Sequence, residues 1–364
     1  MNKLQNRFVL LDGMRGFAAL GVVAFHVMVI TKYRQLDSLY LLVDFFFVLS
    51  GFVLMSSMPG NLRTFPKDAA IFVFKRILRF WPMLTAVLIV TWVAYQFDQQ
   101  TYAAKPDPNF SEEMFIKAFL LLQIWVSATI AMNWPLWSLS AEWFANLIFT
   151  PLTVFKNIGI WIGIIAGYYA LWHGLNTDQE FIGDSWSTGN GPIRGWEALG
   201  RAMLGFGIGL LIRRHLNTLQ KIRNHWLFIL SLVMGYLLFK SHMYFQGETV
   251  YYTTYISAPV FAFIVLQASQ YNPSPKKFLG MLLTFFGKIS FGVYAYHVVV
   301  LMNFDLFIDQ PFNTDRLART RVWEYFVYNF SVVSGISIIL AVLTIFIIEK
   351  PINAVFKKVL TKNS

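Results

Sequence analysis

Ionisable side chains interrupt several apolar stretches of this sequence, where they could take part in proton transfer or anion binding. Arg15 and His26 lie eleven residues apart in LDGMRGFAALGVVAFHV, residues 11–27. In a helix, eleven residues make three turns, so both side chains project from one face, about 16 Å apart along the axis. An imidazole titrates near neutral pH and suits general-base chemistry. A guanidinium group suits phosphates.

Both residues also have a structural interpretation. Arg15 could form an ion pair with Asp12, three residues earlier, and His26 could be an interfacial histidine. An ionised residue at the centre of a membrane helix costs about 2.5–3.5 kcal/mol on insertion scales, so such residues normally face a polar cavity or a partner. The stretch therefore predicts either a structural pair or a polar cavity.

Other candidate residues occur in four further stretches. Asp44 lies in LYLLVDFFFVLSGFVLM, Glu142 in NWPLWSLSAEWFANL and His297 in FGKISFGVYAYHVVV. In KRILRF, Arg76 and Arg79 are three residues apart, so they would lie on adjacent turns of one helical face and could bind phosphates. The alternatives are a helix–helix polar contact for Asp44 and a cytoplasmic basic anchor for the arginine pair.

The composition identifies the elements that must position these side chains as membrane helices. The chain has 364 residues, of which 56% are hydrophobic and 13% charged, and its mean hydropathy is +0.52; soluble domains have about 25% charged residues. Basic residues, which give a net charge of +11, cluster at the ends of apolar runs, as in cytoplasmic loops, which argues against nucleic acid as a partner. The absence of cysteine excludes disulfides, thiolate metal sites and a cysteine thioester intermediate. The start, MNKLQNRFVLL, is interpreted as leading into an uncleaved first helix.

Eleven apolar segments are candidate spans, and 113–130 is the weakest because it begins with charged residues. The segments are 8–30, 37–57, 80–97, 113–130, 137–155, 158–173, 198–213, 225–241, 251–270, 279–303 and 325–349. If 113–130 re-enters or lies in the interface, the basic loops after it fall inside and the acidic loops 98–112 and 174–197 fall outside. We therefore predict an all-α bundle of about ten transmembrane helices plus this segment, with both termini cytoplasmic and residues 1–364 forming a single domain.

This topology places His26, Asp44, Glu142 and His297 at a similar depth, in the outer half of the membrane. Four helices that contribute ionisable groups to one layer predict a shared polar cavity, with the arginines on the inner side. A proton-coupled transporter or exporter remains the main alternative, although the sequence has no visible inverted repeat. A second alternative is a membrane scaffold without enzymatic activity.

Six motifs in order resemble those of the acyltransferase-3 family of bacterial integral membrane O-acyltransferases, over almost the whole chain. They are LDGMRGFAALGVVAFH, VDFFFVLSGFVL, KRILRFWP, WPLWSLSAEW, GKISFGVYAYHVVV and IEKP. One departure is Trp143, where a second acidic residue is common in the family. The resemblance implies transfer of an acyl group, most often acetyl, from cytoplasmic acyl-CoA to a hydroxyl of an extracytoplasmic or membrane-associated carbohydrate, in the bacterial cytoplasmic (inner) membrane.

On this basis we interpret His26 as the general base, with Asp44 or Glu142 orienting its ring. Arg76 and Arg79 would bind phosphates of acyl-CoA, and Arg15 its pantetheine or pyrophosphate. The remaining assignments follow as two sets. Trp137, Ser138 and His297 would contact substrate; Ser50, Ser138 and Ser140 are candidate nucleophiles if the reaction has a covalent intermediate.

Three more expectations concern the surroundings of the site. Glu349 would end its helix before Pro351 and pair with an inner arginine. The glycine of LSGF would allow close helix packing, and Trp134 and Trp137 could be interface anchors. No metal and no permanently bound cofactor are expected; the partners would be acyl-CoA, a carbohydrate acceptor and membrane lipids, and the oligomeric state is left open.

Overall fold

The computed structural model describes residues 7–31, 33, 37–102, 111–125, 132–177, 195–240, 249–303 and 321–362. This part of the chain forms helices and no β-strand, as predicted. Within it, twelve α-helices have eight or more residues. They are α1 Val9–Thr31, α2 Leu42–Leu54, α3 Phe65–Tyr102, α4 Glu112–Phe119, α5 Trp137–Leu152, α6 Lys156–Thr177, α7 Gly195–Arg214, α8 His225–Lys240, α9 Thr249–Ala268, α10 Phe278–Met302, α11 Val322–Thr344 and α12 Lys350–Lys362.

Seven helical stretches in the described residues are long and apolar enough to cross a membrane. One of them, Trp134–Asn176, contains both α5 and α6, which contact each other after a turn at Lys156, where φ is +57°. The shorter apolar helices are His225–Lys240 and Thr253–Ala268. The protein is therefore a multi-pass membrane protein; the count of ten crossings and the cytoplasmic position of both termini stay predictions.

The segment predicted not to cross the membrane contains α4, which has only eight residues. At 1.5 Å per residue α4 spans about 12 Å, far less than the hydrocarbon core of about 30 Å. The chain leaves α4 at Leu121, which is fully buried and has φ of +56°. The Ser140 hydroxyl on α5 donates 2.5 Å to the Leu121 carbonyl, so it satisfies the backbone at this turn. Residues 126–130 of the predicted segment lie outside the described residues.

Helix α3 is longer than the predicted span 80–97. It has 38 residues, or about 57 Å, and continues through Pro82. Its first turns therefore extend beyond the apolar stretch, and they include Arg76 and Arg79. The two arginines belong to a continuous helix that leads into the membrane, which fixes their direction relative to the helices around them.

Two close helix pairs hold the bundle around the candidate site. Helix α1 packs along α10, where a Cβ on Gly16 would lie 2.7 Å from the backbone of Phe286. Helix α2 packs along α7, where a Cβ on Gly51 would lie 2.0 Å from the Phe206 carbonyl oxygen. The glycine of LSGF is thus a close-packing position, as predicted, because any side chain there would collide with a backbone.

Candidate active site

A cavity of about 520 Å³ lies between α1, α2, α3, α5 and α10 and reaches the π-helical segment Ile345–Glu349. This volume falls within the range of small-molecule sites, about 300–1,000 Å³. Its charged lining residues are Arg15, Arg76, Arg79, Lys288, Glu142 and Glu349. Four cationic and two anionic side chains leave an excess of positive charge, which suits an anionic ligand.

Arg76 and Arg79 enter this cavity from α3, as their spacing predicted. Their guanidinium groups lie 5.6 Å from the ring centre of Phe80 and 5.8 Å from that of Phe291, respectively. Neither forms an ion pair within 4.0 Å in the described part of the chain. Glu349 lines the same cavity, but the predicted pair between it and an inner arginine is not formed in this structure. Both arginines can therefore bind an incoming anion without first breaking an ion pair.

Arg15 reaches the cavity from α1 and is positioned by α10. Its Nη2 donates 2.5 Å to the Gly287 carbonyl oxygen, and its Nε donates 3.0 Å to the Ser290 hydroxyl. The ion pair with Asp12 considered from the sequence exists only at 3.9 Å, since Arg7 lies closer to that carboxylate, at 2.6 Å. Arg15 thus has two structural contacts and still contributes its charge to the cavity.

Glu142 lies in the arginine-lined cavity and not beside His26. The Ser50 hydroxyl on α2 donates 2.7 Å to Glu142 Oε1, and the charges of Arg76, Arg79 and Arg15 act on this carboxylate. The predicted shared cavity of His26, Asp44, Glu142 and His297 is therefore wrong for Glu142, because its carboxylate faces Ser50 and the arginines.

Tyr294 on α10 and Ser138 on α5 line the cavity at the end nearest the histidines, which is called its outer end here after the predicted topology. The Tyr294 hydroxyl donates 2.7 Å to the Pro135 carbonyl and lies 2.7 Å from Ser138 Oγ. Further along α10, the His297 ring centre lies 5.8 Å from that of Tyr294. His297 and His26 do not line the cavity, so Tyr294 separates the histidines from the arginines in this structure.

His26 and His297 form a direct pair. Nε2 of His297 lies 2.9 Å from Nδ1 of His26, and His297 is fully buried. Nδ1 of His26 also lies 3.1 Å from the Val22 carbonyl, and Trp134 Nε1 donates 3.4 Å to His26 Nε2. The structure thus brings these two histidines together, and the predicted contact of His297 with substrate stays a prediction.

Asp44 belongs to a separate buried network. Arg201 on α7 donates two hydrogen bonds to its carboxylate, 2.9 Å from Nε to Oδ1 and 3.1 Å from Nη2 to Oδ2. The Ser257 hydroxyl on α9 donates a third, at 2.7 Å. The expectation that Asp44 or Glu142 orients the His26 ring is wrong in this structure, because both carboxylates have other partners. Asp44 has instead the role of a helix–helix polar contact.

Two other predicted site residues have structural contacts. Trp137 is buried, and the Arg201 guanidinium lies 5.3 Å from its ring centre, so Trp137 packs on the Asp44 network and is neither an interface anchor nor a cavity residue. Ser140 supports the turn after α4, which makes it a poor nucleophile. Ser50 and Ser138 both line the cavity.

Sequence reasoning missed three residues at or near the site. Arg201 is a charged residue within an apolar span, so the cost of burying it was a signal that could have identified it. Tyr294 and Lys288 have no comparable signal, because aromatic residues and span-end lysines are common in this chain. Among the described residues, no group of three or more His, Asp or Glu side chains is placed to bind a metal ion.

Comparison with known proteins identifies the family. Residues 8–349 match the family described as "Acyltransferase domain", Acyl_transf_3. The chain is also similar to "Protein 2 in picA locus" of Rhizobium radiobacter, with 32% identity over 184 residues, which is 48% of this chain and 87% of the relative. No solved structure matches. The matched region holds both the arginine-lined cavity and the histidine pair, and the chain belongs to this family of membrane acyltransferases, the acyltransferase-3 family.

Proposed function

We propose that this protein transfers an acyl group, acetyl in the simplest case, from cytoplasmic acyl-CoA to a hydroxyl of an extracytoplasmic or membrane-associated carbohydrate. The observation that carries the proposal is the cavity lined by Arg76 and Arg79, which have no ion pair among the described residues. Tyr294 of this cavity lies one helical turn from the buried His297, which contacts His26. Membership in an acyltransferase family favours this function over a transporter. The site of action would be the bacterial cytoplasmic membrane.

The donor would bind with its phosphates on the inner side. Coenzyme A carries a pyrophosphate and a further phosphate, and bidentate arginine contacts suit such groups. Arg15 and Lys288, which line the same cavity, would add positive charge along the path of the pantetheine arm. Glu142 would offset the mutual repulsion of the three guanidinium groups until the anion arrives, because the charges of Arg76, Arg79 and Arg15 all act on its carboxylate.

The chemical step would use His26 as general base. His26 Nε2 takes the proton of the acceptor hydroxyl, the hydroxyl oxygen attacks the thioester carbonyl, and the C–S bond breaks. The proton then passes to the coenzyme A thiolate, so the products are an ester and free coenzyme A. A general base of this kind contributes about 10²–10⁴-fold to the rate.

The thioester can meet the histidines only if the outer end of the cavity opens. Tyr294 and Ser138 stand in that position, and rotation of the Tyr294 side chain would break its hydrogen bonds to Ser138 and Pro135. If this barrier stays closed while only the donor is bound, it would keep water away from the thioester until the acceptor arrives.

The proposal is tested by His26→Ala in membranes incubated with acetyl-CoA labelled in the acetyl group. We expect incorporation of label and release of free coenzyme A to fall together by about 10²–10⁴-fold at equal protein level. His215→Ala is the matched control, since His215 is exposed and its described contact is with Asn157. Wild-type incorporation by His26→Ala would contradict the base assignment, and no incorporation by the wild-type protein with any carbohydrate fraction would contradict the proposed activity.

A further inference from the structure

We propose that His297 is a positioning residue that fixes the tautomer of His26, with the proton on Nδ1 and the lone pair on Nε2. The role of His26 as base rests on the proposed function, whereas its tautomer does not. The inference is carried by one continuous chain of contacts that joins Tyr294, His297, His26 and Trp134. At each end of this chain the direction of the hydrogen bond is set by a group that can act in only one way.

The inner end of the chain is the main-chain carbonyl of Tyr294, which lies 2.5 Å from Nδ1 of His297. A carbonyl oxygen can only accept, so Nδ1 of His297 must hold a proton. A neutral imidazole has one N–H, and therefore Nε2 of His297 has the lone pair. A doubly protonated His297 would be a fully buried cation, and no described carboxylate contacts it to offset that cost.

The contact between the rings then has a single direction. Nε2 of His297 accepts, so Nδ1 of His26, at 2.9 Å, must donate. The Val22 carbonyl, 3.1 Å from the same nitrogen, is a second acceptor that favours a proton there. Both neighbours of His26 Nδ1 thus favour the same tautomer, and His297 makes the shorter contact.

The outer end of the chain gives the same answer independently. The indole N–H of Trp134 can only donate, and it lies 3.4 Å from Nε2 of His26. This contact favours a lone pair on Nε2, but at 3.4 Å it is too long to fix the tautomer by itself. The contact is longer than the usual 2.7–3.2 Å for an N–H donor, so an acceptor hydroxyl that donates at normal length can replace it.

This arrangement gives His297 the part that a carboxylate plays in a Ser-His-Asp triad, without a net charge. It aims the lone pair of His26 Nε2 toward Trp134, away from the buried side. When Nε2 takes a proton, the Nδ1–H of the resulting imidazolium already has an acceptor in Nε2 of His297. His297 then stabilises the positive charge on His26 through this hydrogen bond until the proton leaves to the thiolate.

The tautomer is measured by nitrogen NMR on protein labelled with ¹⁵N-histidine, in lipid nanodiscs at a pH where the pair is neutral. The His26 signals are identified by their loss in His26→Gln. We expect a protonated Nδ1 and an unprotonated Nε2 in the wild-type protein. The opposite pattern, or an equal mixture of the two, overturns the proposal whether or not the protein proves to be an acyltransferase.

Two variants of His297 separate positioning from packing. His297→Leu fills much of the space but has no acceptor. His26 then keeps only its longer contacts with Val22 and Trp134, at 3.1 and 3.4 Å, so it should become a mixture of tautomers. His297→Gln can place its amide oxygen near the position of Nε2, so it should restore the Nδ1-protonated form. Tyr296→Phe is the matched control, because it removes a buried hydroxyl contact to Thr344 from the same helix without touching the histidines. An unchanged tautomer in His297→Leu overturns the proposal.

The change of tautomer in the His297 variants should also be visible in their kinetics. We expect kcat of His297→Leu to fall by about 10–10⁴-fold, the upper figure being the cost of a wrong histidine tautomer in a serine protease. The KM for acyl-CoA should stay within about twofold, because His297 lies outside the arginine-lined cavity. Partial recovery of kcat in His297→Gln supports the proposal; equal losses in the Leu and Gln variants with the tautomer retained in both overturn it.

Discussion

The Tyr294 hydroxyl lies 2.7 Å from Ser138 Oγ, and this contact stands between the arginine-lined cavity and the histidine pair. Tyr294 comes from α10 and Ser138 from α5, so the barrier is made by two helices that also contribute His297 and Glu142. A barrier held by side-chain hydrogen bonds can open by rotation of one side chain, without movement of a helix.

Weakening this barrier should uncouple the reaction. Tyr294→Phe removes the hydroxyl that contacts Ser138 and Pro135, and one buried hydrogen bond is worth about 1 ± 0.5 kcal/mol. We therefore expect acceptor-independent release of coenzyme A to rise by about 2–10-fold, measured with a thiol reagent in the absence of carbohydrate. Tyr296→Phe on the same helix should leave this rate unchanged. A fall in the Tyr294→Phe variant would show that the hydroxyl assists the reaction and does not close the cavity.

Removal of the inner arginines should weaken donor binding selectively. Each hydrogen bond to a charged group contributes about 1.5–3 kcal/mol, so Arg76→Gln with Arg79→Gln should raise the KM for acyl-CoA by at least about tenfold. The matched control is Lys67→Gln with Lys75→Gln, which removes the same charge from exposed positions of α3.

A truncated donor tests why the arginines matter. Acyl-pantetheine has the thioester but no phosphates, so its turnover should be the same in the wild-type protein and in the Arg76→Gln, Arg79→Gln double variant. If the double variant lost turnover equally with acyl-CoA and acyl-pantetheine, the arginines would be needed for the chemical step or for folding and not for phosphate binding. An unaltered KM for acyl-CoA would remove them from the donor site.

The Asp44–Arg201 pair should affect stability more than chemistry. Asp44→Asn leaves the fully buried Arg201 with a weaker partner, and loss of one member of a buried ion pair costs about 3–5 kcal/mol. The unfolding free energy of the double variant Asp44→Asn, Arg201→Met should fall by less than the sum of the decreases in the two single variants. The difference should be at least about 1 kcal/mol. Thermal unfolding in detergent measures both.

The control for this pair is Asp68→Asn, which changes a partly exposed carboxylate on α3 that accepts from the Thr64 hydroxyl. This substitution should change the unfolding free energy by no more than about 0.5 kcal/mol. Transfer activity per folded molecule should remain near wild type in Asp44→Asn. A loss as large as that of His26→Ala, with folding intact, would return Asp44 to the catalytic site.

Close packing of α2 on α7 should make Gly51 intolerant of a side chain. A Cβ there would lie 2.0 Å from the Phe206 carbonyl oxygen, and overpacking typically costs about 1–3 kcal/mol. Gly335→Ala in α11 is the matched control, because the position is open and alanine favours a helix by about 1 kcal/mol over glycine. Gly51→Ala should lower the melting temperature and Gly335→Ala should not; equal effects would contradict the close approach of the two helices.

Much of the fold followed from one-dimensional signals. The apolar runs and the length of a bilayer crossing predicted the helices, and the charged start of 113–130 predicted that this segment would not cross fully. The short α4 and the turn at Leu121 agree with that prediction. Helix ends were less predictable, since α3 begins at Phe65, well before the apolar stretch 80–97 from which the span was predicted.

The pairing of side chains was the part that sequence could not provide. His26 and His297 are 271 residues apart, and spacing along one helix says nothing about which neighbour a ring will meet. Asp44 and Glu142 were assigned to His26 by depth alone. Their actual partners, Arg201 and Ser50, depend on how each helix is rotated about its axis.

The sequence alone determined that this protein is helical and lies in a membrane, because hydrophobicity acts on each segment independently. Only the tertiary structure decided which ionisable groups share a site. Helix rotation and close approach at glycines such as Gly16 and Gly51 depend on contacts between segments far apart in the chain. These contacts separate Asp44 from the site and bring the two histidines together.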